Sequence, residues 1–385
     1  MNDAPPDRLP PGLLPVGFAD LLPPEAEHEA MLVEALMESF VRHGYERVKP
    51  PLLEFEEALL AGSGAAVSEQ TFRLMDPVSQ RMMGLRADTT PQVARIAATR
   101  LRSQARPLRL CYAGQVLRVR GSELSPGRQL PQAGIELIGG AAPEADAEVA
   151  LVAAEALVRV GIADITLDVT LPRLAHVLIE AAGMTEPLAS RLARALDRKD
   201  AAAVGALVEG WGPVAALLPQ LLAATGPAET ALATLEAAEL PYAAREIANN
   251  AARVVRAIAT RAPHLRMTLD PVEFRGFRYH VGVAFTLYGP GLAGELARGG
   301  RYVSANDEPA TGMTLYPDAV LRAAPAAVRR RRCFLPLGTS GAAGDALRDA
   351  GFATVAALSS ADAPGPLHCT HLWDGAQAAP LDEEG

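Results

Sequence analysis

The chain has 385 residues and a formal net charge of −9 at pH 7. This length is enough for two or three domains with a sizeable core. The acidic balance argues against a dedicated nucleic-acid binder, because such proteins usually carry a basic domain. Three cysteines without paired spacing exclude a disulfide framework and predict a reducing cytoplasm, and the absence of a basic and then apolar leader predicts no secretion.

The N-terminal part predicts one helix and one short strand. Residues 1–24 are rich in proline and are predicted to be irregular. An apolar stripe then predicts a helix from Glu25 to about His43, with Gly44 as its C-terminal cap. A short strand over residues 45–54 ends in prolines, which is typical of a sheet edge or an interface.

The stretch 86–136 carries the most information. Thr90 before Pro91 predicts a helix start, with the threonine hydroxyl as the cap. Two segments of apolar alternation, 108–119 and 128–139, predict a pair of strands that turn back on each other.

The second of these strands places Arg128, Gln132 and Glu136 on one face, because side chains in a strand repeat every two residues. Such a row predicts the floor of a polar pocket. The floor suits a zwitterion, since Asp88 and Glu136 can accept from an ammonium and an arginine can clamp a carboxylate or phosphate. The alternative is an ordinary helix N-terminal acid and a solvated strand face. On these residues alone both interpretations stand.

Arginine is the default base of the chain, since Lys49 and Lys199 are its only lysines. Most single arginines are therefore solvated charge. Residues 71–135 nevertheless hold eleven arginines and three acidic residues, a local net charge of +8. In an acidic protein this excess predicts a surface built for an anion.

The middle of the chain predicts a helix over 144–160, a strand over 164–169 and then a run of short helices. Residues 172–262 are rich in Ala and Leu, with Gly and Pro as breaks, which indicates an all-α insertion. The uncharged run between Glu209 and Glu229 contains three prolines, so we expect short packed helices there and not a membrane span.

The C-terminal part predicts a small α/β unit after the four arginines of 329–332, which we interpret as a solvated junction. Its expected elements are strands over 333–337, 352–358 and 367–373 and a helix over 341–350. His368, Cys369 and His371 invite a metal interpretation, but no second ligand cluster exists in the sequence, so no metal site is predicted.

Several segments resemble the class II aminoacyl-tRNA synthetases, and histidyl-tRNA synthetases in particular. They are Gly44-Tyr45-x-x-Val48-x-x-Pro51-Leu52-Leu53-Glu54, Leu85-Arg86-x-Asp88-x-Thr90, Leu117-Arg118, Arg128-Gln129-x-x-Gln132-x-Gly134-x-Glu136, Glu273-Phe274-Arg275-Gly276-Phe277-Arg278-Tyr279-His280, Gly299-Gly300-Arg301-Tyr302 and Thr311-Gly312-Met313. Each motif alone is weak, but their order and spacing together make the resemblance specific, and it runs from about Phe18 to Ala323.

The resemblance implies an α+β fold, with a class II synthetase-like antiparallel sheet flanked by helices. The expected domains are a synthetase-like core in two parts, 1–171 and 263–328, a helical insertion, 172–262, and a small C-terminal α/β domain, 329–385. The synthetases carry a larger anticodon-binding domain at that end. Their first motif makes a dimer interface, so a homodimer core is implied.

The departures from the synthetase pattern concern ATP. In the synthetases the third motif ends in an arginine that stacks on adenine, and Ala319 stands at that position here. Val119, Arg120 and Gly121 replace the usual His-Glu-Arg cluster after Arg118. In the histidine-specific loop, Arg278 and His280 replace an acid and a tyrosine. The resemblance therefore implies that histidine binds while adenylation is lost.

With these departures the chain resembles the regulatory subunits of short-form ATP phosphoribosyltransferase, which belong to bacterial histidine biosynthesis. The resemblance implies a non-catalytic subunit in a hetero-oligomer with a small catalytic subunit, with L-histidine as feedback effector, and without a cofactor, metal, membrane or tRNA. It implies a histidine pocket lined by Asp88, Thr90, Arg118, Gln132, Glu136, Arg275 and Tyr279.

In that pocket Asp88 and Glu136 would take the ammonium, Gln132 and Tyr279 would orient the ligand, and Arg275 or Arg118 would take the carboxylate.

Two other functions remain as alternatives. A truncated histidine-activating ligase would keep adenylation, and Ala319 argues against it. An RNA-binding module descended from a synthetase would need a basic surface, and the net charge and the missing anticodon-binding domain argue against it.

Overall fold

The computed structural model of the chain describes residues 12–121, 126–273, 279–326 and 330–381. The chain forms two compact units, Met1–Pro325 and Ala326–Gly385. The helices are α1 Glu25–Arg42, α2 Glu56–Leu59, α3 Thr90–Thr99, α4 Pro143–Arg159, α5 Leu174–Ala181, α6 Leu188–Asp197, α7 Ala201–Val208, α8 Gly212–Ala215, α9 Leu217–Ala223, α10 Ala228–Ala237, α11 Tyr242–Arg261, α12 Pro317–Ala323 and α13 Gly341–Asp349.

The strands are β1 Glu46–Arg47, β2 Leu53–Phe55, β3 Arg73–Met75, β4 Met82–Leu85, β5 Leu108–Leu117, β6 Gln129–Ile138, β7 Thr166–Thr170, β8 Gly226–Pro227, β9 Arg266–Asp270, β10 His280–Tyr288, β11 Glu295–Val303, β12 Pro309–Leu315, β13 Arg332–Leu335, β14 Ala353–Ala356, β15 His371–Trp373 and β16 Ala378–Pro380. Two short 3-10 helices cover Gly62–Gln70 and Ala305–Asp307.

The first unit is built on a nine-stranded sheet in the order β1-β5-β6-β12-β11-β10-β7-β9-β8. The strands from β5 to β7 in this order pair antiparallel. Strand β1 joins β5 in parallel, and β9 joins β7 in parallel. The predicted fold class, an antiparallel sheet flanked by helices, is confirmed. The same unit holds a three-stranded antiparallel sheet, β2-β4-β3.

The two faces of the nine-stranded sheet have different neighbours, because side chains alternate along each strand. On one face, Ile135 of β6 belongs to the same hydrophobic cluster as Phe40 of α1 and Val149 of α4. On the other face, Tyr112 of β5 belongs to a smaller cluster with Val93 of α3. We call this second side the α3 face, and the polar side chains of the site lie on it.

The N-terminal predictions are mostly confirmed, with one correction. The helix predicted over 25–43 is α1, and Gly44 follows it with a φ of +81°. The strand predicted over 45–54 is two strands, β1 and β2. Pro50 and Pro51 lie between them and lack the N–H groups that a continuous ladder needs.

The segment between β7 and β9 contains the seven helices α5–α11, in line with the predicted run of short helices. The structure adds the two-residue strand β8, which pairs with β9 at the edge of the sheet. The uncharged run after Glu209 forms the short helices α8 and α9. None of the described helices is long and apolar enough to cross a membrane.

The second unit is a small α/β structure with a four-stranded sheet in the order β14-β13-β15-β16. Strand β13 pairs in parallel with β14 and β15, and β16 joins β15 antiparallel. Cys333 and Leu335 pack with Leu347 of α13. The strand predicted over 367–373 is shorter than expected, because β15 begins at His371 and Cys369 precedes it.

A buried ion pair ties the sheet to the helical layer. The Nε of Arg301 in β11 lies 2.9 and 3.0 Å from the two carboxylate oxygens of Asp146 in α4. The hydroxyl of Thr311 donates to the same carboxylate at 2.5 Å. The terminal guanidinium nitrogens donate to the carbonyls of Gly140 and Ala142 at 2.7 and 2.9 Å. Asp146 is fully buried, so its charge depends on these partners.

We predict that Arg301→Met lowers the free energy of unfolding by about 3–5 kcal/mol, because Asp146 is left buried without its partner charge. Arg322→Met is the control, since it removes an exposed ion pair with Asp318 and should change the free energy of unfolding by less than about 1 kcal/mol. Urea unfolding followed by circular dichroism measures both variants. Equal losses in the two variants would contradict this prediction.

Candidate functional site

The site is built on the α3 face, where residues far apart in the sequence become neighbours across strands. Glu136 of β6 pairs with Gly312 of β12, which pairs in turn with Gly300 of β11. Gln132 lies on the same face of β6 as Glu136, two repeats earlier. Gln132 and Glu136 are both buried, with 2% and 1% of their surface exposed. The two residues therefore lie in the floor of the site and are not a solvated strand face.

Glycines in the floor make room for the larger side chains. A Cβ atom on Gly312 would lie 1.9 Å from Oε2 of Glu136, closer than any real contact. A Cβ atom on Gly134 would lie 2.5 Å from the hydroxyl oxygen of Tyr112, its neighbour on β5. These glycines are needed because the floor holds a carboxylate and a phenol side by side.

Glu136 is an acidic side chain in a place where a charge is costly. Burial raises its pKa to about 8, and the nearby charge of Asp88 adds to the shift. The hydroxyl of Tyr302 donates to Oε2 of Glu136 at 2.8 Å, and this bond and the Thr90 hydroxyl oppose the shift because they stabilise the charged form. Glu136 therefore exchanges its proton near pH 8, and its charged form can accept from an N–H group.

The start of α3 brings Asp88 and Thr90 to the same place. The helix begins at Thr90, one residue earlier than predicted, and the Thr90 hydroxyl is not its cap. The carboxylate of Asp88 accepts the Thr90 amide at 3.0 Å. The Thr90 hydroxyl lies 3.3 Å from the hydroxyl of Tyr112, which lies 2.8 Å from the hydroxyl of Thr314. Tyr112 thus links α3 to β12 beneath the site.

The segment just before α3 holds both Gln132 and Arg118, through Thr89 and Ala87. The amide oxygen of Gln132 accepts from the backbone N–H of Thr89 at 3.1 Å and from its hydroxyl at 3.0 Å. This fixes the Gln132 side chain and leaves its NH₂ group as the donor for a ligand. The Nε of Arg118 donates to the carbonyl of Ala87 at 3.4 Å. Burial raises the pKa of Glu295 in β11, and the positive charge of Arg118 is one of the nearby groups that oppose this shift.

Aromatic rings form the wall of the site. Tyr279 is half-buried, and its ring stacks on that of His280 with centroids 4.2 Å apart. It meets the ring of Tyr302 edge-on at 6.1 Å. Burial lowers the pKa of His280 to about 3, so this imidazole is neutral. Arg275, the remaining predicted site residue, lies outside the described residues.

Two predictions about arginines need correction. Arg128 does not join the floor, because its guanidinium stacks between Phe18 and Phe72 and donates to the carbonyl of Val16. Five of the eleven arginines in residues 71–135 form ion pairs with glutamates. Arg73, Arg81, Arg95, Arg106 and Arg109 pair with Glu56, Glu57, Glu54, Glu308 and Glu148. The predicted anion surface is therefore wrong for these five arginines.

Sequence reasoning gave no role to Tyr112, Thr314 and Tyr302. Tyr112 lies within a run of alternating apolar residues. Its hydroxyl group was the one feature in the sequence that indicated a polar role. Tyr302 lies in a recognised motif, Gly299-Gly300-Arg301-Tyr302, but its contact with Glu136 spans 166 positions. Such pairings depend on the order of the strands, which alternation along one strand does not reveal.

The described residues offer no group of three or more His, Cys, Asp or Glu side chains that could hold a metal ion. His371 lies in β15, whereas His368 and Cys369 precede that strand. Ala319 in α12 is buried in the main hydrophobic cluster, so this position supplies no cation to a nucleotide.

Comparison with known proteins gives one consistent group. The family profile for histidyl-tRNA synthetase matches residues 17–320. An ATP phosphoribosyltransferase regulatory subunit from Rhodospirillum centenum is 53% identical over 376 residues, covering 96% of this chain and 97% of that protein. One from Paramagnetospirillum magneticum is 54% identical over 352 residues, covering 91% and 92%.

Solved structures share the fold. An ATP phosphoribosyltransferase regulatory subunit/histidyl-tRNA synthetase from Bacillus halodurans superposes with a TM-score of 0.78 at 23% identity, covering 92% of this chain and 95% of that one. A chain of the ATP phosphoribosyl transferase (HisG:HisZ) complex from Thermotoga maritima superposes with a TM-score of 0.58 at 17% identity, covering 75% and 97%. At these identities the likeness concerns the fold alone.

The pKa of Glu136 predicts a specific pH dependence of stability. Burial raises this pKa from 4.5 to about 8 on folding, so the folded chain holds a proton that the unfolded chain has released. Stability should therefore fall as pH rises through this window. We predict that Glu136→Gln loses less stability than the wild type between about pH 6 and about pH 9.

Urea unfolding at the two pH values measures this difference. Glu57→Gln is the matched control, because the Glu57 side chain is 85% exposed. It should keep the wild-type slope. A Glu136→Gln variant with the wild-type slope would show that Glu136 does not carry the raised pKa.

Proposed function

This chain belongs to the histidyl-tRNA synthetase family, in the group of the ATP phosphoribosyltransferase regulatory subunits, and from this we propose that its polar pocket binds L-histidine as a feedback effector. The chain acts in histidine biosynthesis as a regulatory, non-catalytic subunit of ATP phosphoribosyltransferase. One observation carries the histidine proposal. A buried carboxyl group, Glu136, accepts the Tyr302 hydroxyl beside the Tyr279 ring and has a pKa raised to about 8, with the carboxylate of Asp88 close by.

The two carboxylates differ in depth, which favours separate roles. Asp88 is half-buried and lies at the start of α3, where it can take the ammonium group of an amino acid. Glu136 is buried and held by Tyr302, and Tyr279 meets Tyr302 edge-on. A deep acceptor flanked by tyrosine rings can bind an imidazole N–H. We therefore assign the side chain of histidine to Glu136 and its ammonium to Asp88.

The ligand carboxylate needs a cation or an N–H donor. Arg118 and the NH₂ group of Gln132 are two described candidates, because the amide oxygen of Gln132 is already held by Thr89. Arg275 stays a prediction. Thr90 lines the floor through its hydroxyl, which stabilises the charged form of Glu136. This arrangement matches each polar group of histidine with a group of opposite hydrogen-bonding character.

Occupancy of the pocket regulates a partner only if histidine binds the inactive state of the assembly more tightly. Coupling free energies of about 1–3 kcal/mol are typical and correspond to a change in affinity of roughly 5- to 150-fold. We propose that the partner is a short-form catalytic subunit, which joins ATP to phosphoribosyl pyrophosphate. The regulatory names of the full-length relatives support a partner of this kind.

We also propose a cytoplasmic location, supported by the three free cysteines.

A homodimer core is the second part of the proposal. The three-stranded sheet exposes large apolar side chains, and Leu74, Met75 and Met82 are 37%, 64% and 44% exposed. A groove of about 610 Å³ lies next to them, lined in part by Pro51 and Phe55 from the segment that resembles the synthetase dimer motif. Exposed apolar surface of this kind marks contact sites.

The position of Ala319 gives no support to the alternative function, a histidine-activating ligase. Ala319 is packed in the main cluster and offers no contact to adenine. We draw no second function from the site.

We predict that histidine binds the wild-type chain and that Glu136→Gln weakens the affinity by about tenfold or more, because glutamine cannot become the charged acceptor of the ligand N–H. Tyr302→Phe should weaken it less, since it removes only the phenol that orients Glu136. Isothermal titration calorimetry measures each dissociation constant. Glu236→Gln, an exposed carboxylate in α10, is the control and should bind as the wild type does. A wild-type chain that binds no histidine would overturn the proposal.

We predict that Met75→Glu converts the dimer to a monomer, because it places a charge in the proposed interface. Leu358→Glu is the matched control, since Leu358 is 91% exposed and lies in the second unit. Sedimentation velocity determines the mass of each variant. A wild-type monomer, or an intact Met75→Glu dimer, would contradict the assignment of this surface.

A further inference from the structure

Arg128 lies outside the floor of the pocket, but it is bonded directly to Arg118. The backbone N–H of Arg118 donates to the carbonyl oxygen of Arg128 at 2.7 Å. The Nε of Arg128 donates in return to the carbonyl oxygen of Arg118 at 3.3 Å. Strand β5 ends at Leu117, so these two bonds hold the residue that directly follows the strand. The place from which the Arg118 side chain extends therefore depends on Arg128.

The guanidinium of Arg128 is held by contacts from two distant parts of the chain. Its central carbon lies 4.9 Å from the centroid of the Phe18 ring and 4.9 Å from that of the Phe72 ring. A guanidinium is planar and stacks on aromatic faces, so the two rings constrain its position. The Nη1 of Arg128 also donates to the carbonyl oxygen of Val16 at 3.1 Å. The side chain that bonds Arg118 is thus itself fixed in place.

The segment 16–18 is fitted to Arg128 through its backbone as well. The backbone N–H of Arg128 donates to the carbonyl oxygen of Gly17 at 2.7 Å. Gly17 has a φ of +84°, in the left-handed region that favours glycine. A Cβ atom on Gly17 would lie 2.6 Å from Cδ of Arg128. Glycine is therefore needed here both for the backbone conformation and for the close approach of the arginine stem.

The side chain of Arg118 depends on the position of its own backbone. Its Nε donates to the carbonyl oxygen of Ala87 at 3.4 Å, which is longer than the usual range for such a bond. A bond of this length constrains the side chain only weakly. The two backbone bonds with Arg128 include a shorter one of 2.7 Å, so they contribute more to the placement of the Arg118 guanidinium.

We propose that Arg128 is a positioning residue of the histidine pocket, which holds the backbone of Arg118 so that its guanidinium meets the carboxylate of the ligand. The inference rests on the proposed function of the pocket, with Arg118 as a partner of the ligand carboxylate. A contact between a guanidinium and a carboxylate depends on the geometry of the two groups, so a displaced Arg118 binds the carboxylate less well. Arg128 acts through Arg118 and not on the ligand.

The test compares the affinity of the full-length chain for L-histidine with its affinity for histamine, which has the imidazole and the amino group but no carboxylate. A fault in the carboxylate contact alters only the first affinity, whereas a general loss of structure alters both. Arg128→Met removes the stacked guanidinium and its donors. Phe18→Leu removes one ring of the stack and carries the same comparison if Arg128→Met does not fold. Isothermal titration calorimetry measures each dissociation constant.

Two further sets of variants serve as controls. Arg331→Met is the matched control for the loss of a stacked arginine, because the guanidinium carbon of Arg331 lies 4.4 Å from the centroid of the Phe352 ring in the second unit. Arg118→Met and the double variant Arg118→Met/Arg128→Met complete a double-mutant cycle. Residues that act through one contact give non-additive effects in such a cycle.

We expect Arg118→Met to weaken histidine binding by roughly 10-fold or more, and Arg128→Met by roughly 3- to 10-fold, with histamine binding unchanged in both. Phe18→Leu should weaken histidine binding by a smaller factor, because one ring of the stack remains. The double variant should bind histidine as Arg118→Met does, and Arg331→Met should bind both compounds as the wild type does.

The inference is overturned if Arg128→Met binds histidine as tightly as the wild type, or if it loses histidine and histamine binding equally. It is also overturned if the effects of the two arginine substitutions simply add in the double variant. Wild-type affinity in Arg118→Met would remove the contact that Arg128 is proposed to position. If the wild type itself binds no histidine, the proposed function fails instead.

Discussion

The burial of Glu136 is the constraint on which the site depends. A carboxyl group with 1% of its surface exposed is stable only where its neighbours can donate to it or where it keeps its proton. Tyr302 supplies the donor, and burial supplies the raised pKa of about 8. The floor is therefore poised between a neutral and a charged form. A ligand with an N–H group stabilises the charged form of Glu136. A ligand without one does not offset the free-energy cost of burying that charge.

The order of the strands and the positions of the glycines make room in the sheet for the buried side chain of Glu136. Strand β12 comes from near the end of the first unit, yet it lies directly beside β6 and presents Gly312 to Glu136. A side chain at Gly312 would occupy the space of the carboxylate. The same sheet carries the helical layer on its other face, where Arg301 and Asp146 fasten β11 to α4. A rigid scaffold on one face thus holds a polar floor on the other, which is the arrangement a binding site requires.

Local patterns in the sequence predicted much of this, and their failures have physical reasons. Alternation placed Gln132 and Glu136 on one face, because strand periodicity is a local property. The same alternation placed Arg128 beside them, although β6 begins only at Gln129 and the aromatic rings of Phe18 and Phe72 hold this arginine elsewhere. Tyr302 acts on Glu136, which lies 166 positions away in the chain, so no local pattern could reveal its role. The single strand expected over 45–54 failed because two prolines interrupt the ladder.

The most direct measurement is a reconstitution. The purified chain is mixed with a short-form catalytic subunit, and the formation of phosphoribosyl-ATP is followed while histidine is titrated. We predict that activity depends on this chain and that histidine suppresses it with a concentration dependence shifted by Glu136→Gln. Activity that needs this chain but ignores histidine would contradict the effector role of the pocket. Activity that is indifferent to the chain with a cognate partner would contradict the regulatory assignment itself.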